Sequence, residues 1–321
     1  MQQANGTARL PEVSGVSRES KGGSNGHRAP CDAQVLHFAG VGDVHGRMCE
    51  MVERIETWCA ANGTAVSFVL QAGDFEPHRN EDDLSTMAAP SKYKHLGDFP
   101  RFASGAARFP WPVHFVGGNH EPYGYLELHP TGARIAENCH YLGRGGMTTL
   151  GGLRVAYLSG VYSEARYHSK RPGAEARQRV SNKAYAAFTE GDLERILACA
   201  EGQPATGARA AQRTQRFADI LLLHEWPEGI VAEADRSRIE AQCRRLRYAR
   251  LGNEPARLLL ELLRPQMVLC AHMHLRYETT LVLPGGPHVR VCGLGRIDDG
   301  DDGLAMFRTT GDARIHQLVA A

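Results

Sequence analysis

Residues 35–74 read VLHFAGVGDVHGRMCEMVERIETWCAANGTAVSFVLQAGD, and the succession of patterns inside them decides the fold. Residues 35–41 form a nearly continuous apolar run, as a strand buried on both faces requires, and it exits into Gly42-Asp43-Val44-His45-Gly46. Met48, Met51, Val52, Ile55 and Trp58 then recur at helical spacing, and packing against a core is the simplest reading of that stripe. A second apolar run over 66–71 exits into Gly73-Asp74. Strand, helix and strand in so short a span make a βαβ unit, whose crossover pairs the two strands in parallel. In sheets of this kind ligands gather beyond the carboxyl ends of the strands, where Asp43 and Asp74 fall.

The pattern recurs along the chain. Residues 113–116 lead into Gly117-Gly118-Asn119-His120-Glu121, 153–158 into Ser159-Gly160, 219–223 into His224, and 267–271 into His272-Met273-His274. Helices are predicted over 191–200, over 232–251, and from Pro255, whose missing N–H suits a first helical turn. Short strands split by Gly, Pro and Asp turns follow at 277–283, 288–294, 304–308 and 314–319, more antiparallel in character than the first half. Residues 1–32, rich in Gly, Ser, Asn and Gln without periodicity, predict a disordered tail ahead of one domain over 33–321. The polar, basic stretch 163–183 reads as a solvated loop and helix start or as a substrate clamp, and 202–215 as a mobile excursion. The acidic run at 298–303 lacks the spacing and closing Glu of a calcium-binding loop and reads as a surface turn.

Composition narrows the function classes. Of 321 residues, 42% are hydrophobic and 23% charged, ordinary values for a globular chain with a large core. Lys plus Arg at 37 against Asp plus Glu at 36 argues against nucleic-acid binding by bulk charge, though not against a local basic groove. The eight cysteines form no CxxC pair and no dense framework, so neither a disulfide scaffold nor a structural zinc site is indicated. No run approaches the roughly 18 apolar residues of a membrane span. A cytoplasmic setting is the expectation.

A lone His after a strand is usually structural, and Gly-Asp marks countless turns. Motifs at five strand exits are different, because each places an oxygen or imidazole ligand on one rim of the sheet. Of the 15 histidines, His45, His120, His224, His272 and His274 fall at these exits. Two cations about 3.5–4 Å apart need a shared anion to screen their repulsion, and Asp74 is the expected bridge. Asp43, His45 and His274 complete one site; Asn119, His224 and His272 complete the other. Oxygen and imidazole without thiolate suit Mn, Fe or Zn. Ligands two apart, as in Asp43/His45 and His272/His274, need an irregular exit to face the same way. A water activated between two such cations is the expected nucleophile toward a phosphate ester, with His120 assisting the leaving oxygen or serving only to support a ligand. Glu121 and Glu225 are expected to orient imidazoles or to form salt bridges.

Asp-x-His, Gly-Asp, Gly-Asn-His, His and a final x-His-x-His block make the chain resemble the calcineurin-like metallophosphoesterases. The resemblance implies an α/β fold, a four-layer α/β/β/α sandwich of mixed sheets, with a two-metal centre. The last block departs from the family pattern, with Ala271 in place of Gly. A narrower likeness, over about 36–280, is to the RNA lariat debranching enzymes. It rests on Ala72-Gly73-Asp74-Phe75 with Arg79-Asn80-Glu81-Asp82-Asp83-Leu84, on residues 87–93, Tyr141-Leu142-Gly143, Ser159-Gly160-Val161-Tyr162 and His224-Glu225-Trp226-Pro227. It implies hydrolysis of 2′-5′ phosphodiesters in RNA. Those enzymes carry Cys at the first ligand, where this chain has Asp43. Arg79, Asn80, Tyr93 and Tyr123 are candidate substrate contacts, each with a loop-holding role as the rival. A phosphomonoesterase or small-nucleotide phosphodiesterase of the same family is the first alternative, and a metal-binding scaffold without catalysis the second.

Overall fold

The computed structural model describes residues 35–176, 179–202, 216–245, 250–310 and 313–318. The tail expected over 1–32, and all but the first residue of the excursion expected over 202–215, lie outside them. The strands are β1 (His37–Val41), β2 (Phe68–Gln71), β3 (Val113–Phe115), β4 (Ala133–Ala136), β5 (Cys139–Tyr141), β6 (Gly145–Leu150) and β7 (Leu153–Leu158). They continue as β8 (Ile220–Leu223), β9 (Met267–Cys270), β10 (Tyr277–Val282), β11 (His288–Gly293), β12 (Leu304–Thr309) and β13 (Ile315–Leu318). The helices begin with α1 (Met48–Ala61), α2 (Glu81–Ser85), α3 (Phe99–Ala103), α4 (Tyr123–Leu126) and α5 (Glu164–Tyr167). Then come α6 (Lys183–Ala186), α7 (Glu190–Glu201), α8 (Glu233–Arg245) and α9 (Glu254–Leu263).

The strands form two mixed sheets, in the orders β13-β12-β1-β2-β3-β5-β4 and β10-β11-β9-β8-β7-β6. The predicted parallel pairing of β1 with β2 is present, and β3 and β5 extend it. In the second sheet β7, β8, β9 and β11 are likewise parallel neighbours. The antiparallel character expected of the C-terminal strands holds for β10 with β11 and β12 with β13. On its other side β11 pairs in parallel with β9, because the hairpin turns β10 out to the sheet edge and folds β11 back beside β9.

Alternate residues of the central strands serve different layers, which is why those strands read as unbroken apolar runs. Phe38, Leu70, Ile220, Leu222 and Leu269 meet between the sheets. Ala39, Val41, Val69 and Val113 face outward and are covered by Met48, Met51 and Ile55 of α1, so the stripe is a core face. Leu221, Leu223 and Val268 face the opposite way, under Leu193 and Ile196 of α7 and Leu259 and Leu260 of α9. Full burial of each such side chain contributes roughly 1.5–3 kcal/mol. The outcome is helix, sheet, sheet, helix. α9 starts as predicted: the Asn253 side chain accepts from the Ala256 amide at 2.9 Å, and Pro255 sits in the first turn. The short elements β4, β5, β6 and α2–α4 carry no readable period, while α5 and the start of α6 fall within 163–183, where a helix start is expected.

Candidate metal centre

Both sheets end at one rim. The exits of β1, β2 and β3 come from one sheet and those of β8 and β9 from the other, and hydrogen bonds join them. The His272 amide donates to Asp43 Oδ2 at 3.1 Å, and the His224 ring donates from Nδ1 to the Ala72 carbonyl at 2.8 Å. The chain turns abruptly at these points. His45, Asp74, Glu76, His272 and His274 adopt φ of 46°, 51°, 59°, 67° and 50°. A side chain in that left-handed region costs about 1–3 kcal/mol, which the surrounding structure must offset. It is also what turns Asp43 with His45, and His272 with His274, into one pocket. Ala271 is not among the positive-φ residues and is fully buried, so its methyl group replaces the family's Gly without backbone conflict. At Gly118 no side chain fits: a Cβ there would lie 2.2 Å from Asp74 Oδ1 and 2.6 Å from His224 Nε2.

The structure brings the seven candidate ligands together in two groups that meet on Asp74. Asp43, His45, Asp74 and His274 offer donor atoms within 4.8 Å of one another, as do Asp74, His224 and His272. Asn119 adds its Oδ1 at 3.4 Å from His224 Nε2. His224 Nε2 also lies 3.1 Å from His272 Nδ1 and 3.5 Å from Asp74 Oδ1. In the first group, His45 Nε2 and His274 Nε2 approach to 3.2 Å. The Ala72 carbonyl fixes the His224 proton on Nδ1 and turns Nε2 into the cluster, as a ligand imidazole requires.

The donors fit cations. Asp43 Oδ1 is buried without a hydrogen-bond partner, 3.8 Å from His224 Nδ1, and Oδ2 lies 3.9 Å from His274 Nε2. Burial, reinforced by the Asp74 charge and opposed by His224, pushes the Asp43 carboxyl up to about 7. At His45 burial alone would lower the imidazole, but the Glu76 hydrogen bond and the Asp74 and Asp43 charges raise it to about 9. His224 is raised to about 10 in the same way, burial being outweighed chiefly by Asp74. Burial and neighbouring imidazoles hold His272 well below the usual range and His274 at about 3. Buried carboxylates thus draw protons onto two of four imidazoles, a demand for positive charge that divalent ions would meet.

Glu76, which no motif marked, is the main addition. It is buried, and its Oε1 accepts from His45 Nδ1 at 2.8 Å and from His120 Nδ1 at 3.1 Å. His45, Glu76 and His120 form a third group of close donor atoms. Its spacing two residues after Asp74 was the available signal, matching Asp43/His45. Glu121 does not orient an imidazole. Its carboxylate accepts from the amides of Phe75, Glu76 and Gly118 at 2.9, 3.0 and 3.1 Å, pinning the loops that carry Asp74 and Asn119. Glu225 does approach one, 3.7 Å from His272 Nε2, while accepting from the Tyr162 amide and the Asn253 side chain.

A pocket of about 640 Å³ lies over the cluster, lined by His45, Asp74, Asn119, His120, His272 and His274, with Tyr93, His95, Arg47 and Arg296 among the remaining walls. Of the four candidate substrate contacts, only Tyr93 borders it, half exposed and 6.2 Å from the His120 ring. Arg79 turns to Asp83, donating from Nε at 2.8 Å, and stacks on Tyr125. Asn80 caps α2, accepting from the Asp83 amide at 3.1 Å. Tyr123 is fully buried beneath the site, where its hydroxyl donates to the Gly118 carbonyl. These three hold loops.

Residues 36–276 match the family model described as calcineurin-like phosphoesterase, and the chain belongs to that family. It is 30% identical over 247 residues to a lariat debranching enzyme of Arabidopsis thaliana, covering 75% of this chain and 55% of that protein. Against the lariat debranching enzyme of Entamoeba histolytica the identity is 30%, over 76% of this chain and 66% of the other. For that of Saccharomyces cerevisiae it is 28%, over 77% and 58%. The chain spans about half the length of the curated relatives it matches. Among the described residues no helix is long and apolar enough to cross a membrane.

Proposed function

We propose that residues 33–321 form one domain acting as a metal-dependent phosphodiesterase on RNA, with 2′-5′ linkages the favoured substrate, in the cytoplasm. The observation that carries this reading is the meeting of two donor groups on Asp74, beside an imidazole that belongs to neither. Asp43, His45 and His274 would hold one divalent ion and Asn119, His224 and His272 the other, with Asp74 shared; Mn, Fe and Zn all suit such donors. When bound, such ions supply the charge that activates a water and stabilises a phosphoryl group under attack. The protein's own part is positional. Glu76 holds His120 by Nδ1, leaving Nε2 as the nitrogen that faces the substrate. At His120 burial opposes protonation, but Asp74 and Glu76 outweigh it and raise the imidazole, which favours the protonated form that a donor to the leaving oxygen needs. Glu121 keeps the loops bearing Asp74 and Asn119 from shifting as charge develops.

The RNA assignment draws on the relatives, whose names specify lariat debranching. Asp43 stands where those enzymes carry Cys and supplies a hard oxygen donor instead. The test is hydrolysis by the Mn-loaded protein of a synthetic 2′-5′ branched RNA beside its linear 3′-5′ counterpart, with bis-p-nitrophenyl phosphate as control. Cleavage confined to the branch is expected. Cleavage of the generic diester alone keeps the chemistry and removes the lariat assignment.

A further inference from the structure

Two guanidinium groups on the pocket wall are accounted for neither by the candidate ligands nor by His120. Arg47 and Arg296 line the pocket, and both are anchored on Asp298, Arg47 at 3.3 Å and Arg296 through a direct hydrogen bond from Nη2. Arg47 also reaches Glu50 at 3.5 Å, and Glu50 is shared with Arg54 at 3.1 Å. Three guanidiniums against two carboxylates leave this cluster with one positive charge. The position of Arg296 is fixed by the strand exit that presents the first candidate ligand. Its backbone bridges to Asp43, and the Ile297 amide donates to the Asp43 carbonyl at 2.9 Å. Arg296 Nε is buried with no hydrogen-bond partner. A buried donor left unpaired carries its desolvation cost, while the side chain as a whole is 34% exposed and lines the pocket. A guanidinium fork matches the oxygens of a phosphate.

A guanidinium is always charged and has no lone pair for a cation, so neither arginine serves as a ligand, and both line the pocket beside the donor groups. A phosphomonoester has no second anion to place there. A polynucleotide does, since every internal diester is flanked by another phosphate. The other wall offers different chemistry: Tyr93 presents a half-exposed ring near His120, a surface on which a base can stack.

We propose that Arg47 and Arg296 form a subsite for the phosphate flanking the scissile diester of an oligonucleotide, so that the pocket selects polymeric over monomeric esters. The proposal rests on the phosphodiesterase reading above. Its test uses two 2′-5′ substrates on the Mn-loaded protein, a dinucleoside monophosphate and the same compound extended by one flanking phosphate. Arg296→Ala should raise KM for the extended substrate about tenfold more than for the shorter one, and Arg47→Ala a few-fold more. Arg296→Lys should recover part of the loss. The dependence of log K on log salt for the extended substrate should become shallower by about one in Arg296→Ala. An equal rise for both substrates assigns Arg296 to the reacting phosphate and overturns the subsite, as does no change. If the wild type cleaves neither, the phosphodiesterase reading falls on its own. Fluorescence anisotropy with labelled forms of the same two oligonucleotides then decides the subsite: wild-type preference for the extended one, lost in Arg296→Ala, supports it, and equal binding by wild type overturns it.

Discussion

Two cavities among the described residues differ in place and in charge, and the larger of the two is not at the strand exits. It measures about 780 Å³ and lies against α8 and the chain around 250–254, walled by Tyr162, Glu164, Arg236, Glu240, Arg244 and Arg250 among others. The pocket over the strand exits measures about 640 Å³. Volume does not tell them apart, but the state of their charges does. In the larger cavity the arginines are matched by acids: Arg236 with Glu233 at 2.9 Å, Arg244 with Glu240 at 3.6 Å, and Arg250 with Glu164 at 3.5 Å. In and beneath the smaller one Asp43 Oδ1 and Arg296 Nε are buried without a hydrogen-bond partner, and at His45 and His224 burial is outweighed by neighbouring carboxylates, which shift both upward. Unsatisfied charge held in place by strained backbone marks a site under chemical demand, and satisfied charge on a helix surface marks solvation.

The sharpest way to break this contrast is to neutralise the shared carboxylate. Asp74→Asn should lower kcat/KM by more than the roughly 10–100-fold typical of an outer-shell change, and should reduce the metal retained after dialysis, read by elemental analysis. Full metal content in that variant would mean the two groups do not meet on Asp74. Next in size is His120→Ala, expected to retain both metals while kcat falls by about 10²–10⁴. Glu76→Gln, which keeps a hydrogen-bond acceptor but loses the charge, should fall less. Loss of metal from His120→Ala would make this imidazole a ligand support rather than a proton donor.

The same contrast explains how much was legible beforehand. The central strands were, because burial on both faces leaves long apolar runs such as Ile220–Leu223, each ending in a ligand-bearing turn. The short strands β4, β5 and β6 were not. Gly145–Leu150 opens on two glycines, and Cys139–Tyr141 is three residues long, so neither carries a period that can be read. At the site, ligands directly after an apolar run were visible as motifs. Glu76 was not, since its value lies in a φ of 59° and in two imidazoles arriving from the ends of other strands. Arg296 was hidden for a similar reason, because only the bridge to Asp43 brings it to the pocket. The partners of Glu121 and Tyr123 are backbone groups, and no residue type announces those.

The smallest expected effect lies in the larger cavity, and it tests whether satisfied charge there is mere solvation. Arg244 pairs with Glu240 at 3.6 Å and keeps 68% of its side chain exposed. An ion pair so exposed gains little Coulomb energy in water and is screened by salt. Arg244→Ala should therefore shift Tm by no more than about 2 °C and leave hydrolysis of bis-p-nitrophenyl phosphate and branched RNA as in wild type. One wall of that cavity does communicate with the centre, because the Tyr162 amide donates to Glu225, whose other oxygen faces His272. A selective loss on branched RNA in Arg244→Ala, with the generic diester unaffected, would show that a longer substrate runs from the metal centre across Tyr162 into the larger cavity. The contrast between the two would then be one of role within a single substrate path, the smaller cavity doing the chemistry and the larger one holding the rest of the chain.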